Sequence, residues 1–479
     1  MKNFFKISTI ACFASSIVAL PIDWHGEVHF DTNKITDFRR IDSVVDNSAV
    51  NNGTQEYALA DGKIANASFQ SYIFKLRPEI IVNDSTTIIA ELTTGSGYGG
   101  TFGDSTTKKD GTNPRLSTGL YTFDTVRSNA LNVTQAYAIF YADTATYKVG
   151  RQNTHWGLGA LHNNGEAQFS RHSTIRDGIT ADFKIGNFNI DLYYSKISSA
   201  GNLTKSSRIK ESGVSILYNN LDREFGFGIL YAKNKASSEA NILSDETSAK
   251  LGKTDVKITD IYLRKTYGKF TTEVEVPLLS GEIGNAYTTT TNSNYKARAV
   301  LVHNTFKLNE RHQFSLNGGM VSGDDGVNNS FNALYLHPNY QVANLLFKYN
   351  LNAVSDSSQN IYDSYVTNTT FFKIAHRYDS VNWSWTNSLI YAKADEVAKA
   401  GENAFNHNKG KTFAASFDQK DDLGIEFDSD FSYNWNASVT FGGSLGYLMT
   451  GDYFAYNNTA NPNVVKDSYV LQAFANIKF

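Results

Sequence analysis

The chain has 479 residues, with 44 Lys plus Arg against 47 Asp plus Glu, for a formal charge of -3. That balance gives no electrostatic ground for nucleic-acid binding. Aromatic residues reach 13%, with 27 Tyr and 31 Phe; a chain this aromatic is not a disordered one, and its single cysteine, Cys12, excludes a disulfide framework.

The first segment, "MKNFFKISTIACFASSIVAL", carries Lys2 and Lys6 ahead of an apolar stretch from Ile7 to Leu20. Its length and flanks predict a secretory signal peptide over 1–20, cut after Ala19 or Leu20, and it is too short for a spanning helix. The sequence before Cys12, "TIA", is a poor lipobox. Residues 21–479 then form one domain, and loss of the two signal lysines takes the formal charge to about -5 (-3 - 2). No later apolar run reaches the roughly 18 residues a spanning helix needs.

Alternation with period 2 begins at once and recurs to the end. The first strand, about 22–31, puts Asp23, His25, Glu27, His29 and Asp31 on one face. In "NFNIDLYYSK" Phe188, Ile190, Leu192 and Tyr194 oppose Asn189, Asp191, Tyr193 and Ser195; in "EFGFGILYAK" Phe225, Phe227, Ile229 and Tyr231 oppose Gly226 and Gly228. Further on, Val381, Trp383, Trp385, Leu389 and Tyr391 oppose Ser384, Thr386 and Ser388. In "DDLGIEFDSDFSYN" the apolar positions face away from Glu426, Asp428 and Asp430. These runs span about 9–12 residues, longer than ordinary globular strands and matched to a tilted membrane strand. A soluble sandwich core has no place for a row of carboxylates, whereas a wide barrel turns them to a water-filled lumen.

Short Asn/Asp/Gly turns, such as 83–86, 143–146, 185–187 and 267–269, alternate with long polar segments, among them 32–66, 96–130, 155–175, 322–364 and 395–421. The rhythm predicts an all-β fold, a transmembrane up-and-down antiparallel β-barrel with short periplasmic turns and long outer loops. Eight hairpins plus a first and a last strand give 18 strands, within bounds of 16–20. The segment 331–352 is ambiguous, since Val342, Leu345, Leu346 and Tyr349 also fit a helical stripe; it is assigned to a loop. Pro78 and Pro277 fall inside strands, where each removes a ladder bond, and a bulge or strand end is expected at both.

Residues 147–183, "YKVGRQNTHWGLGALHNNGEAQFSRHSTIRDGITADF", bring a strand ending in Val149-Gly150-Arg151-Gln152 into the third long loop. This resembles the diffusion porins of Gram-negative outer membranes, in which a similar stretch precedes a third loop that folds into the lumen and narrows it. The acidic loop signature of those porins is absent, and only Glu166 stands in its place. The resemblance implies Arg151, Glu166, Arg171, Arg176 and Asp177 as constriction charges, which would set a transverse field across the pore. Salt bridges that anchor an outer loop are the competing assignment.

Strand alternation adds lumen charges: Lys75, Arg77 and Glu79 on the second strand, Glu273 and Glu275, then Lys296 and Arg298 on the following strand, and Lys373 and Arg377 later. They serve either the wall or selectivity. Trp24, Trp383, Trp385 and Trp435 near strand ends predict an aromatic girdle at the lipid interface. His155, His162 and His172 have no metal-ligand spacing and read as solvated loop histidines. No catalytic constellation and no cofactor motif is recognisable.

The chain ends on "SYVLQAFANIKF", with Tyr469, Leu471, Ala473, Ala475, Ile477 and Phe479 on one face. A closed barrel needs this strand to pair with the first. It also resembles the terminal strand read by the outer-membrane barrel assembly machinery, with Tyr469, Ile477 and Phe479 as the assembly signal. The expectation for function is a passive outer-membrane channel for small hydrophilic solutes, with outer-membrane lipid as its surroundings. A homotrimer is implied by the resemblance alone. A sugar-specific channel, a polysaccharide exporter and a plugged structural or receptor barrel are the alternatives.

Overall fold

A computed structural model of the chain describes residues 20–42, 66–94, 100–102, 131–199, 208–236, 253–284, 291–327, 329–354 and 359–479. The expected signal segment lies outside these residues except for Leu20.

Eighteen long strands follow in chain order: β1 Ile22–Thr36, β2 Ala67–Asn83, β3 Thr86–Thr94, β4 Leu131–Tyr141, β5 Thr146–Thr154 and β6 Thr174–Ile185. Next come β7 Phe188–Ser199, β8 Arg208–Asn220, β9 Phe225–Ala236, β10 Thr254–Tyr267, β11 Phe270–Ile283 and β12 Asn294–Lys307. The last six are β13 His312–Val321, β14 Thr369–Asp379, β15 Trp383–Ala394, β16 Asp422–Asn434, β17 Val439–Thr450 and β18 Ser468–Lys478. Each pairs antiparallel with its sequence neighbour, and β1 also pairs with β18 from Glu27↔Lys478 to Thr36↔Tyr469, so the sheet closes on itself. Two-residue strands at Gly100–Thr101 and Ser330–Phe331 append to β2 and β12, and the loop after β15 holds its own hairpin, Asn403–Asn406 with Lys411–Ala414. The expected 18-stranded up-and-down barrel is the observed one, with 331–352 in a loop.

The period of 2 becomes the two faces of the wall. Along β9 the burial pattern alternates, with Phe227, Ile229 and Tyr231 exposed on the outside and Leu230 and Ala232 buried inside. The outside therefore carries an apolar band. At its short-turn edge sit Trp24, Trp385 and Trp435, all exposed, and Trp383, whose ring packs 5.0 Å from Tyr378 and 6.0 Å from Phe431. At the seam, Gly26 and Phe479 exchange backbone hydrogen bonds of 2.8 and 3.1 Å. The Phe479 ring lies over Gly26, where a Cβ would collide with it.

The two prolines behave differently from expectation. Pro78 stays in register opposite Trp24, and the ladder from β2 to β3 merely skips Arg77 and Pro78 before resuming unshifted at Glu79↔Ile89. Pro277 does the same between Glu275↔Leu301 and Leu278↔Arg298 on the β11–β12 ladder. A missing N–H removes one rung; here the neighbouring strand keeps its phase, and no bulge forms at either site.

Candidate functional site

The inside of a hollow barrel should be polar throughout, yet the long-loop half of this one holds a hydrophobic cluster. Leu230, Ala232, Val256, Ile258, Ala297, Ala299, Leu301 and Ile390 point inward from β9, β10, β12 and β15. They are covered by Leu334, Leu336, Val342, Leu345 and Leu346 of the loop between β13 and β14, and by Trp156 and Ala160 of the loop between β5 and β6. Both loops have turned into the lumen and touch there, with His337 N donating to Ala160 O at 2.7 Å. Gly228 makes room for this: a Cβ on it would sit 2.7 Å from the Trp156 ring.

Buried carboxylates hold the loops by their backbones. Glu426 accepts hydrogen bonds from Leu345 N at 2.6 Å and Leu346 N at 2.8 Å, and Asp428 accepts from Asn344 N at 3.1 Å. Lys373 Nζ donates to Val342 O at 2.8 Å, and Arg40 donates to Leu345 O at 3.2 Å. Glu275 accepts from Leu158 N on the other loop. The row Glu426, Asp428 and Asp430, expected to face water without partners, is thus largely enclosed: Glu426 is 0% and Asp428 1% exposed. A carboxylate buried this way must be hydrogen-bonded, and inward backbone N–H groups supply the bonds.

On the β1–β2 side the tip of the 155–173 loop meets the wall. Lys75 Nζ donates to Ser170 O at 2.7 Å and Gly165 O at 3.3 Å. Arg77 reaches Glu166 at 3.2 Å and Glu79 at 3.7 Å. Arg171, buried, pairs with Asp31, donates to Ser71 Oγ at 2.8 Å and lies 3.6 Å over the Tyr362 ring. Ser71 and Tyr362 hydroxyls also donate to Asp31, at 2.6 and 3.1 Å. Arg176 lies 3.4 Å over the Tyr193 ring and 3.8 Å from Glu211. Glu273 accepts from Tyr262 OH at 2.7 Å.

Between this tip, the 337–348 segment and the β14–β18 wall is a cavity of about 450 Å³. Asp31, Arg171, Lys348, Arg377, Asp430 and Gln472 give it charge and amide groups; Ser384, Thr386, Ser432 and Ser444 add hydroxyls. Phe169 adopts φ +68°, a strained choice for an aromatic residue. Its ring packs 4.4 Å from Phe474 and 4.6 Å from His29 at the cavity edge.

Of the residues expected at a constriction, Glu166, Arg171 and Arg176 point inward, and so do Lys75, Arg77, Glu79, Glu273 and Glu275. Four others do not. Arg151 and Asp177 face each other across β5 and β6 and join through two hydrogen bonds of 2.8 Å, on the outward parity of Val149 and Ile179. Lys296 and Arg298 alternate with buried Tyr295, Ala297 and Ala299, so they too are outside. For Lys296 and Arg298 the reason is the loop filling: the inward positions beside them, Tyr295, Ala297 and Ala299, are covered by apolar loop residues, and the charges occupy the opposite face. For Arg151 and Asp177 the inward positions are taken by Gln152 and Arg176.

The histidines also depart from expectation. His155 is exposed, but His162 is buried with neither ring nitrogen hydrogen-bonded, and His172 contacts Tyr362 O at 3.0 Å. Burial holds the His162 imidazole down to about 3, with Arg176 adding to the effect, and His337 down to about 4. Both therefore sit neutral in the packed loops. Burial likewise lowers Lys348, whose Nζ is held by Asn344 Oδ1 and Gln472 Oε1 at 3.1 and 3.3 Å.

No protein-family model matches the sequence, and no curated protein does. Among solved structures, OpdL of Pseudomonas aeruginosa superimposes with a TM-score of 0.51, covering 96% of this chain and 98% of that one, at 10% identity. The fold is that of OpdL. Pseudomonas aeruginosa OccK11 (OpdR) aligns with a TM-score of 0.47 at 9% identity, over 95% of this chain and 96% of its own. The outer membrane protein OpdK of the same organism gives 0.46 at 10%, over 95% and 99%.

Proposed function

We propose that the chain is a passive channel of the outer membrane, carrying small hydrophilic solutes down their gradients. The observation that carries the reading is the combination of an apolar outer band on a closed 18-stranded wall with charged and hydroxyl groups around an inner cavity of about 450 Å³. Eighteen strands enclose a water-filled lumen unless something fills it. Here two loops fill part of it and leave a polar cavity beside them. Arg171, Lys348, Arg377 and Asp430 are its field-setting charges, and Glu166, paired with Arg77 at 3.2 Å, belongs to the same loop tip as Arg171. Transport, not catalysis, is the activity assigned.

Outer-membrane lipid surrounds the band, and the long loops face outward from the cell. Trp24, Trp383, Trp385 and Trp435 form the periplasmic girdle. Residues 1–20 direct export, and Tyr469, Ile477 and Phe479 present the terminal strand to the barrel assembly machinery; assembly as a homotrimer is the finer expectation. Planar-bilayer recording of the purified protein tests the channel directly: stable ohmic steps are expected. A heat-modifiable barrel that gives no conductance would replace the channel with a plugged barrel. The Phe169–Phe474 ring pair at the cavity edge favours one second reading, a sugar-selective channel, and saturable block of the current by one sugar in a panel would establish it.

A further inference from the structure

Charges on the outer wall are not spread evenly. Strand register sets Lys196 of β7 directly opposite Lys210 of β8, and Lys210 directly opposite Lys235 of β9. One step below, Lys233 faces Lys257 of β10, and Lys257 and Lys296 both flank Ser280. All lie on the outward face at the long-loop edge of the apolar band. Exposed Tyr194 and Tyr231 come next down the same strands, then Leu192 and Ile229. The opposite arc differs: Ile425, Tyr447, Met449 and Tyr469 occupy the outward rim of β16–β18.

Like charges directly opposite in an antiparallel pair are only about 5 Å apart at Cβ and destabilise the sheet. Lys233 finds Asp255 at 2.9 Å. Among the described residues, no ion pair joins Lys196, Lys210, Lys235, Lys257 or Lys296 to a carboxylate. Asp255, which binds Lys233, also lies directly opposite Lys235, but the lysines outnumber it. A row of ammonium groups mostly without carboxylate partners among the described residues, over a tyrosine and an apolar band, has the charge and the height of a lipid-headgroup contact.

We propose that the outward rim of β7–β12 is a docking belt for phosphate groups clustered on lipids of the outer leaflet. The lysines bracket phosphates, the tyrosines sit at headgroup depth, and the acyl chains lie on the band below. The proposal rests on the outer-membrane reading above. Attraction of the order of 1 kcal/mol per lysine near an anionic lipid surface makes several lysines in register a strong local site.

The test uses the full chain, folded in detergent, titrated with bisphosphorylated lipid A in mixed micelles and read by native mass spectrometry. The parallel arms are dephosphorylated lipid A and inorganic phosphate. The variant K196Q/K210Q/K235Q/K257Q should bind the phosphorylated lipid about tenfold more weakly or worse. The control K34Q/K393Q, on other strands, should bind like the parent. Equal binding by the belt variant would overturn the proposal. So would equal binding of the dephosphorylated lipid, which makes the contact purely apolar, or tight binding of inorganic phosphate alone, which makes it a free-anion site. A change in oligomeric mass without loss of lipid would make the belt an interface between copies and overturn it too. Heat-modifiable migration and conductance are recorded on every variant, so failure of the barrel reading is seen separately from failure of the belt.

Discussion

Glu426 offers the sharpest test of whether the 331–352 segment is fixed to the wall. Its carboxylate accepts Leu345 N and Leu346 N at 2.6 and 2.8 Å and is fully enclosed. Hydrogen bonds to a charged partner contribute about 1.5–3 kcal/mol each, so Glu426→Ala should weaken the local attachment by about 3–6 kcal/mol. At 1.4 kcal/mol per tenfold, the detached population rises by roughly two to four powers of ten. Asp428, Lys373 and Arg40 still hold the neighbouring backbone, so loosening should centre on 344–346 without unfolding the barrel. Glu426→Gln keeps one acceptor oxygen but turns an amide donor toward an N–H, and should lose about half as much. Hydrogen exchange at Leu345 and Leu346, with single-channel conductance recorded in parallel, reads the outcome: protection falls in the order parent, Gln, Ala, while conductance or its noise rises. Parental protection and conductance in Glu426→Ala would refute the latch.

Three further predictions follow from the same contacts. Arg171→Ala leaves Asp31 buried without its cation, and loss of one partner of a buried pair costs about 3–5 kcal/mol; detergent-solubilised barrels should melt earlier, with loop exchange over 165–172 leading the change. Acidification should open the loops: His162 and His337 stay neutral when packed, at about 3 and 4, but accept a proton near 6.5 when released. The released state then binds more protons, so loop stability is complete above pH 6.5 and declines as pH falls toward 4. Hydrogen exchange of 158–164 and 335–341 at pH 7.5 and pH 5 measures this, and a flat response would refute it. Gly26→Leu places a side chain under the Phe479 ring, and Phe479→Ala removes the ring; both should lower the yield of heat-modifiable barrel in cells, the second with little loss of melting temperature once assembled.

The wall was legible in the sequence because one outer surface, the apolar band, imposes a period of 2 on the strands from Phe188 to Tyr469, interrupted only by local register shifts such as those at Lys196/Ser198 and Ala392/Lys393. Loop contents were not. Leu345 meets Glu426 across 81 positions, and the contact is made by a backbone N–H that any residue carries. Lys296 and Arg298 show how the two problems meet. Charge on a strand suggests water, and water suggests the lumen; yet the lumen at that height is occupied by loop side chains, while the outer face there has passed beyond the apolar band. Strand parity could be read from the residues, but which parity faced inward depended on what filled the interior. The buried position of His162 was hidden for the same reason.

A thin cylinder of strands is stiff along its axis and weak against ovalisation, since nothing but curvature keeps its cross-section round. This one has a cross-brace. The 340–349 segment ties β16 through Glu426 and Asp428, β14 through Lys373, β12 through the Tyr340–His303 contact at 2.8 Å, and β1 through Tyr349 and Asn33 at 3.0 Å. Packed interiors are nearly incompressible, so the strut fixes the distances between distant parts of the wall. The calibre of the aperture should then be set by the protein and stay indifferent to the lateral pressure of the bilayer that holds it.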